Sequence, residues 1–510
     1  MEKALAKKSD ILKIKYKFFI NRIVTYFSFL LIPVWLQKTE QLSLFSQSLI
    51  LLVYILFMGS QWYLFGKEID HRLKIYYKAN SSLERIIYRV LLGNIGLILL
   101  FNIFSLLPNI ALGSVFWGFF AVLGIFYSWP TRGKIIEETM VSQFSEIRYL
   151  DSFEKTILSL STITFLITLP DFPLFENVDA LKLYLDGSEN VSFFLWNYLS
   201  VLYYPFKEFP KLFNLVWNFH FYFIGIGTFL FSFYCLLRYF FSRRLSMLGT
   251  YAIISSWSLS KLVVNDFFVA VTSGLPLIWL WSFMWSTRSG SYRSGLFTGL
   301  IAFYLAIFKP IYFFLTPIML LAGYFLFQPS KTAWYRRQWL KYNIFGVVMA
   351  GFTAMLFVTE TPFGEAGIDS VWMTIVDAIY RKAFFAIAPL GIILIALYSS
   401  NISNYLLTYI NLDRKKLGEV MFGIAILFIF GSFVSPTFFN GLSIMWTLAF
   451  LSLFPIEWIF QSISRLRSKR NLIYAMYILV CLLDSQMENR LRIVAKMFLD
   501  NESLKYLIQY

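Results

Sequence analysis

Residues 169–189 read LPDFPLFENVDALKLYLDGSE and open a polar interruption, Leu169–Lys211, in a sequence that is otherwise almost continuously apolar. Five carboxylates gather in this opening stretch. Such a segment does not cross a hydrocarbon layer, because charged side chains are costly there. It therefore separates the apolar segments before it from those after it, and it is the first place to look for acid/base chemistry.

The composition of the 510-residue chain excludes a soluble globule with an ordinary surface. Hydrophobic residues make up 58% of the chain, aromatic residues 20% and charged residues only 15%, and the mean hydropathy is +0.64. Long apolar segments of this kind form membrane-spanning helices, because a helix satisfies its own backbone hydrogen bonds within lipid. The composition predicts an all-α polytopic membrane protein.

The net charge of +16 does not indicate nucleic-acid binding. The basic residues stand in short runs between apolar segments, where they orient helices, rather than on one continuous surface. Cys235 and Cys481 both lie inside apolar runs, which supports neither a disulfide framework nor a thiolate metal site. His71 and His220 are too few for a histidine-based metal centre, and the aromatic neighbours of His220 favour a packed side chain.

Apolar runs of roughly 17–25 residues, the length that crosses about 30 Å of hydrocarbon, predict about 14 transmembrane helices. Four of them form an N-terminal block and lie near 17–37, 43–65, 86–107 and 110–128. The others lie near 154–172, 212–240, 245–264, 267–286, 295–308, 311–327, 341–359, 383–400, 418–436 and 441–460. A shorter run at 472–484 fits a membrane span, an interfacial helix or a helix packed against the bundle.

Basic residues predict how the helices are oriented. The lysines between Lys3 and Lys15 precede the first apolar run and predict a cytoplasmic N-terminus in a protein of the cytoplasmic membrane. Alternation of the spans then puts every strongly basic connection on the inner side, as the positive-inside tendency requires. These connections hold Lys67/Arg72/Lys74, Arg132/Lys134, Arg243/Arg244, Arg288/Arg293, Lys331/Arg336/Arg337, Arg414/Lys415/Lys416 and Arg465/Arg467/Lys469/Arg470. The outer side receives Leu169–Lys211, Asn265-Asp266, Lys309-Pro310 and Glu360–Lys382.

The N-terminal block has a signature of its own. Its second predicted helix is followed by FGKEIDHR (Phe65–Arg72) and its fourth ends in LGIFYSWPTRGK (Leu123–Lys134). These stretches resemble the first half of UbiA-type prenyltransferases, in which an acidic motif follows the second helix and a Tyr-Ser-x-Pro turn follows the fourth. The resemblance implies a magnesium-binding role for Glu68 and Asp70, while a charged cytoplasmic loop is the structural alternative.

The second part of the chain has a different layout, in which a long acidic outer loop is followed by many helices joined by short turns. The stretch Pro170–Tyr184 enters the outer loop and contains Asp179, a later short turn holds Asp266, and GLFTGLIAFYLAIFKP (Gly295–Pro310) ends at Lys309. This order resembles the GT-C membrane glycosyltransferases, which use polyprenyl-phosphate sugars as donors. The resemblance makes Asp179 the catalytic aspartate.

An interfacial helix is predicted within the outer loop. Val191–Leu199 is aromatic and apolar but too short to span a bilayer, so it suits a helix lying flat at the headgroups. A carboxylate just before such a helix lies at the boundary between lipid and water. A reaction between a lipid-borne donor and a water-facing acceptor needs a carboxylate in that position.

The GT-C resemblance implies transfer of a sugar from a polyprenyl-phosphate carrier to a lipid or glycan acceptor on the outer face. Because a sugar hydroxyl ionises far above neutral pH, a carboxylate must accept its proton as the new bond forms. Asp179 is the first candidate for this base and Asp186 the second. Asp266 is the candidate that shares a divalent cation, Mg²⁺ or Mn²⁺, with Asp179. The departing phosphate requires cations, for which the outer-face candidates are Lys309, Lys207 and Lys211.

Structural roles compete with each of these assignments. Asp179 also fits an ordinary solvated loop acid, with Glu176 or Glu189 as further candidates for the base. Asp266 follows Asn265 in a pattern that is also typical of a helix N-cap. Lys309 also fits a side chain that reaches from the hydrocarbon to the interface.

Two other functions stay open on the sequence alone. A transporter or lipid flippase predicts charges within the spans and an internal repeat, and a UbiA-type prenyltransferase predicts chemistry at the inner-face acids. The chain accordingly divides into an N-terminal four-helix block at 1–150, a GT-C-like core at 151–460 and a basic C-terminal segment at 461–510.

Overall fold

Seven helices of 13 or more residues account for most of the chain that the computed structural model describes. They are α1 (Ser82–Ser105), α2 (Ser152–Thr168), α3 (Gly225–Leu237), α4 (Arg243–Ser255), α5 (Ser294–Phe308), α6 (Ala333–Phe357) and α7 (Arg470–Asp484). The described residues are 58–59, 62–75, 82–105, 149–168, 198–199, 206, 213, 225–256, 277–283, 286, 291–308, 313–314, 316–317, 320, 332–357, 446, 449–453, 455–457, 468–485, 487, 489 and 491–492. These residues are mostly helical and include no strand, which confirms the all-α class. The count of about 14 membrane helices stays a prediction.

Two of the described helices are long and apolar enough to cross a membrane. The qualifying stretches are Glu84–Ile103 within α1 and Ala333–Leu356 within α6. They overlap the predicted spans at 86–107 and 341–359. The other five helices also fall on predicted apolar runs, but within the residues that the structure describes they are not both long and apolar enough to qualify.

α6 begins eight residues before its predicted span. The prediction that Arg336 and Arg337 lie in a connection between helices is wrong, because both lie in the first two turns of α6. The helix starts where the Thr332 hydroxyl accepts a hydrogen bond from the Tyr335 backbone N–H at 3.2 Å, as in an N-cap. Charged and aromatic residues thus continue a helix beyond its apolar part.

α5 and α6 make a very close helix–helix contact. Gly295 lies against the backbone of Trp339, and Gly299 and Gly346 approach so closely that a Cβ on either would overlap backbone atoms. Small residues allow this approach between helices in lipid. Because the contacts advance in the same direction along both helices, α5 and α6 run parallel, as the predicted intervening span at 311–327 requires.

A second glycine contact joins α1 to the helical stretch at 62–73. Gly66 lies against the α1 backbone at Arg89 and Gly93, and Gly93 in turn lies against the backbone of Trp62. The chain leaves the 62–73 helix at Lys74, whose φ of 52° lies in the left-handed region. The 62–73 helix and α1 therefore pack antiparallel.

Basic connections that the sequence placed on one side do lie next to one another. Arg293, just before α5, has a guanidinium nitrogen 3.4 Å from the carbonyl oxygen of Leu73, the last residue of the 62–73 helix. The neighbouring Tyr292 ring packs against Trp334 at the start of α6, with a centroid separation of 5.5 Å. The starts of α5 and α6 and the end of the 62–73 helix are therefore neighbours.

The starts of α1, α2, α4 and α7 meet in the same way. Glu84 in the first turn of α1 accepts a hydrogen bond from Tyr239, which stands in the turn between α3 and α4. Arg244 binds Asp151 before α2 at 2.6 Å and lies 3.4 Å from the Asn471 side-chain oxygen in α7.

We call this common end of the helices the basic end. Among the described residues it holds Arg72, Lys74, Arg243, Arg244, Arg293, Arg336, Arg337, Lys469 and Arg470. The helices α1, α2, α4, α5, α6 and α7 all start at the basic end, whereas α3 finishes there. Their opposite termini point to what we call the far end.

Candidate functional site

The residues predicted to take part in sugar transfer are Asp179, Asp186, Asp266, Lys207, Lys211 and Lys309, and all of them lie outside the described residues. The helices that lead to three of them are described. α2 ends eleven positions before Asp179, α4 ends eleven positions before Asp266, and α5 ends directly before Lys309. Each of these helices starts at the basic end, so the chain continues from the far end in all three cases.

One described piece of the acidic loop supports that placement. Tyr198 and Leu199, at the end of the predicted interfacial helix, are helical and buried. The Tyr198 ring stacks on Phe101, with centroids 6.1 Å apart. Phe101 belongs to the last turns of α1, away from the basic end. Part of the loop Leu169–Lys211 therefore lies at the far end of α1.

Four charged residues fix the starts of α2 and α4 beside each other, and we call them the α2–α4 ion-pair cluster: Asp151, Glu154, Arg243 and Arg244. The Arg243 guanidinium donates to both carboxylate oxygens of Glu154, at 2.6 Å each. Arg244 donates to one oxygen of Asp151 through two nitrogens, at 2.9 and 2.6 Å. Bidentate pairs of this kind fix orientation as well as distance, so the cluster aligns two parallel helices.

The same acids also cap α2. The Asp151 side chain accepts from the Glu154 backbone N–H at 2.7 Å, and the Glu154 side chain accepts from the Asp151 backbone N–H at 3.0 Å. This reciprocal arrangement is a capping box. On α4 the Ser242 hydroxyl accepts from the Leu245 N–H at 3.4 Å, and two arginines occupy the first turn. Cations at a helix N-terminus are unfavourable with the helix dipole, and the two acids compensate for it.

The cluster changes the ionisation of its members. Burial opposes ionisation of Asp151, but hydrogen bonds from the Glu154 N–H and the Arg244 guanidinium outweigh it, so the pKa of Asp151 is lowered. The hydrogen bond to Glu154 raises the pKa of Arg243 against the opposing effect of burial. Both groups are therefore held in their charged forms.

A second polar cluster surrounds Glu84, which is only 2% exposed. Its carboxylate accepts from the Tyr239 hydroxyl at 2.8 Å and from the Trp281 indole N–H at 3.0 Å. Glu84 stands in the first turn of α1, where the helix dipole favours a negative charge. The cluster joins α1, the α3–α4 turn and the 277–283 helix at the basic end.

The acids of the UbiA-like signature have different partners. Asp70 is buried and accepts from the Tyr88 hydroxyl at 2.9 Å, with an Arg89 guanidinium nitrogen at 3.8 Å. Glu68 instead pairs with Arg72 one helical turn away, at 2.7 Å, on an exposed surface. Two carboxylates committed to separate partners do not present the shared, open oxygen ligands that a magnesium site needs.

Within the described ranges, no group of three or more His, Cys, Asp or Glu side chains is arranged to hold a metal ion. The divalent cation assigned to Asp179 and Asp266 concerns residues outside those ranges. Cys235 and Cys481 are both buried free thiols.

Comparisons with models of protein families, with curated proteins and with solved structures find no match to this chain.

Sequence reasoning did not single out Asp151, Glu154 and Glu84. A local signal was present for the first two, because an acid followed three residues later by Glu before an apolar run is typical of a capping box. The partner of Glu154 could not be found in this way, because Arg243 is 89 positions further along the chain. Glu84 likewise has partners 155 and 197 positions away.

Proposed function

We propose that this protein is an integral membrane glycosyltransferase of the GT-C type, which moves a sugar from a polyprenyl-phosphate carrier to a lipid or glycan acceptor. The observation that carries the proposal is the common direction of α2, α4 and α5. Because all three start at the basic end, the segments leading to Asp179, Asp266 and Lys309 leave from the far end. A site built from separate loops requires this common placement.

The membrane setting is supported by the surface of α6. Val348 is 62% exposed and Met355 87% exposed, in a helix long enough to span a bilayer. An aqueous protein rarely leaves such an apolar stripe uncovered, whereas lipid covers it without cost. We assign the basic end to the cytoplasmic side of the cytoplasmic membrane, with the N-terminus on that side.

The proposed reaction is a direct displacement at the anomeric carbon of the donor sugar. The acceptor hydroxyl oxygen forms a bond to that carbon while the bond between the carbon and the phosphate oxygen breaks. The Asp179 carboxylate takes the hydroxyl proton, with Asp186 as the second candidate for this role. The polyprenyl phosphate leaves with the bonding electrons, and Lys309, Lys207 and Lys211 neutralise its charge.

Asp179 and Asp266 offer the carboxylate oxygens that Mg²⁺ and Mn²⁺ prefer. A cation held between them would supply further charge neutralisation at the phosphate.

The geometry favours this proposal over the UbiA-type alternative. That alternative needs Glu68 and Asp70 to share a cation, but Asp70 is bonded to Tyr88 and Glu68 to Arg72. It predicts that inner-face substitutions abolish activity while the outer loop tolerates change. The transporter alternative predicts movement of a substrate across proteoliposomes without turnover of carrier lipid.

The test is sugar transfer by membranes containing the full-length protein, with a panel of labelled polyprenyl-phosphate sugars. Asp179→Asn is expected to lower kcat by about 10²- to 10⁴-fold, the usual contribution of a general base, with little change in KM. Asp171→Asn, in the same loop, is the matched control and is expected to keep activity. Undiminished transfer by the Asp179 variant contradicts the assigned base, and loss only in an Asp186→Asn variant moves the role to Asp186.

A further inference from the structure

The outward face of α6 changes character along its length. Trp334, Arg337 and Lys341 are exposed at spacings of three and four residues, and all lie near the basic end. The same face continues with Ile344, Val348 and Phe352, which are equally exposed but entirely apolar. One continuous stripe therefore passes from cations and an indole to hydrocarbon side chains within one helical turn.

The helix α2, which also starts at the basic end, shows a change in the same direction. On its outward side Lys155 is exposed near the start, and Leu158, Ile163 and Leu166 are exposed further along.

On α7, Lys469 is exposed at the start, followed by Leu472, Met476 and Leu479. On all three helices, which start at the same end, the exposed side chains thus change from cationic to apolar in the same direction. A change in this direction is expected where headgroups give way to hydrocarbon.

We infer that Trp334, Arg337 and Lys341 bind the headgroup of an anionic phospholipid of the inner leaflet, whose acyl chains lie along Ile344 and Val348. Within the described part of the chain, no carboxylate forms an ion pair with Arg337 or Lys341. Two exposed cations one turn apart complement a headgroup phosphate and its neighbouring negative charge. The indole of Trp334 suits the level of the headgroups.

This surface is separate from the proposed donor site. It lies at the basic end, whereas the segments leading to Asp179 and Lys309 leave from the far end. The inference uses the membrane placement in the proposed function but not the transferase activity. Lipid binding can therefore be measured without turnover, and either proposal can fail without the other.

Native mass spectrometry of the full-length protein, titrated with phosphatidylglycerol or phosphatidylcholine in a mild detergent, tests the inference. The wild-type protein is expected to retain phosphatidylglycerol preferentially. The double variant Arg337→Gln with Lys341→Gln is expected to bind phosphatidylglycerol more weakly by about fivefold for each cation removed. Binding of phosphatidylcholine is expected to stay unchanged.

The matched control is Lys74→Gln with Arg85→Gln. It removes the same charge from exposed positions near the basic end. Tyr88 and Leu92, which follow Arg85 on its helix face, are buried, so this face offers no exposed apolar stripe for acyl chains. This control is expected to keep wild-type binding. If both double variants lost the same affinity for phosphatidylglycerol, the effect would depend only on net charge, and the assignment of the lipid to Trp334, Arg337 and Lys341 would be wrong.

Two further arms keep the inference testable if the neutral variant fails to fold. The exchange of Arg337 to Lys together with Lys341 to Arg keeps both charges and is expected to retain the preference. Glycerol 3-phosphate, which lacks acyl chains, is expected not to compete with the lipid. Full competition by this soluble anion would show a phosphate site rather than a lipid surface.

Discussion

Glu154→Gln separates the effect of a buried ion pair from that of an exposed one within the same cluster. The Glu154 side chain is 3% exposed and its partner Arg243 is 40% exposed, whereas Asp151 and Arg244 are each 36% exposed. Breaking a fully buried pair costs about 3–5 kcal/mol. Arg243 reaches solvent and can be hydrated once its partner is neutral. We therefore expect Glu154→Gln to lower the free energy of unfolding by about 2–3 kcal/mol. Arg244→Gln removes the exposed pair and is expected to lower the free energy of unfolding by about 0–1 kcal/mol.

The measurement is equilibrium unfolding of the purified protein in mixed micelles, with increasing sodium dodecyl sulfate and helicity as the signal. The double variant Glu154→Gln with Arg243→Gln removes both members of the buried pair. It is expected to be more stable than the sum of the single variants predicts, because no unpaired charge is left behind.

Equal losses in Glu154→Gln and Arg244→Gln would refute the reasoning, since burial would then not decide the strength of the two pairs. Additive losses in the Glu154 and Arg243 variants would refute the direct interaction between these side chains.

The remaining predictions concern acid stability and helix packing. Because the pKa of Asp151 is lowered in the folded protein, its stabilising effect is present above the ordinary carboxyl pKa of about 3.9 and is lost as the pH falls further. Asp151→Asn, which can still cap the helix, should therefore lose less stability than the wild type between neutral pH and pH values below about 4, as measured by thermal unfolding. Gly346→Ala should destabilise the protein by about 3 kcal/mol in the same detergent titration, because its Cβ would overlap the backbone of Gly299. Gly227→Ala in α3 meets no atom within 4 Å and should be neutral or stabilising by about 0.5–1 kcal/mol, and equal losses at both glycines would contradict the packing argument.

The helices that the sequence predicted well are those whose apolar run ends at a polar residue. The predicted run 295–308 differs by one residue from α5, Ser294–Phe308, and the run 472–484 differs by two at its start from α7, Arg470–Asp484. The gathering of basic connections at one end was also predictable, because charge asymmetry depends only on the order of residues. The same asymmetry predicts that α2, α4 and α5 each run from the basic end to the far end.

Other features depended on contacts between distant residues. Asp70 looks like a loop acid in the sequence, but the structure buries it against Tyr88. The hydropathy of the sequence does not predict the basic start of α6, because hydropathy indicates where a helix enters lipid and not where its hydrogen bonding begins. The chemistry of Asp179 and its predicted partners stays a prediction.

The α2–α4 ion-pair cluster has a consequence for the order of events during synthesis. Glu154 precedes Arg243 by 89 positions, so at about 5–20 residues per second it is made roughly 4–18 s before its partner. A carboxylate carried into hydrocarbon would face a large cost for that whole interval. At the start of α2 it can remain in water until α4 arrives, and the capping bond to the Asp151 N–H already orients it. In the proposed membrane protein, the position of the cluster at the helix starts would allow α2 to insert first and to select α4 as its partner afterwards.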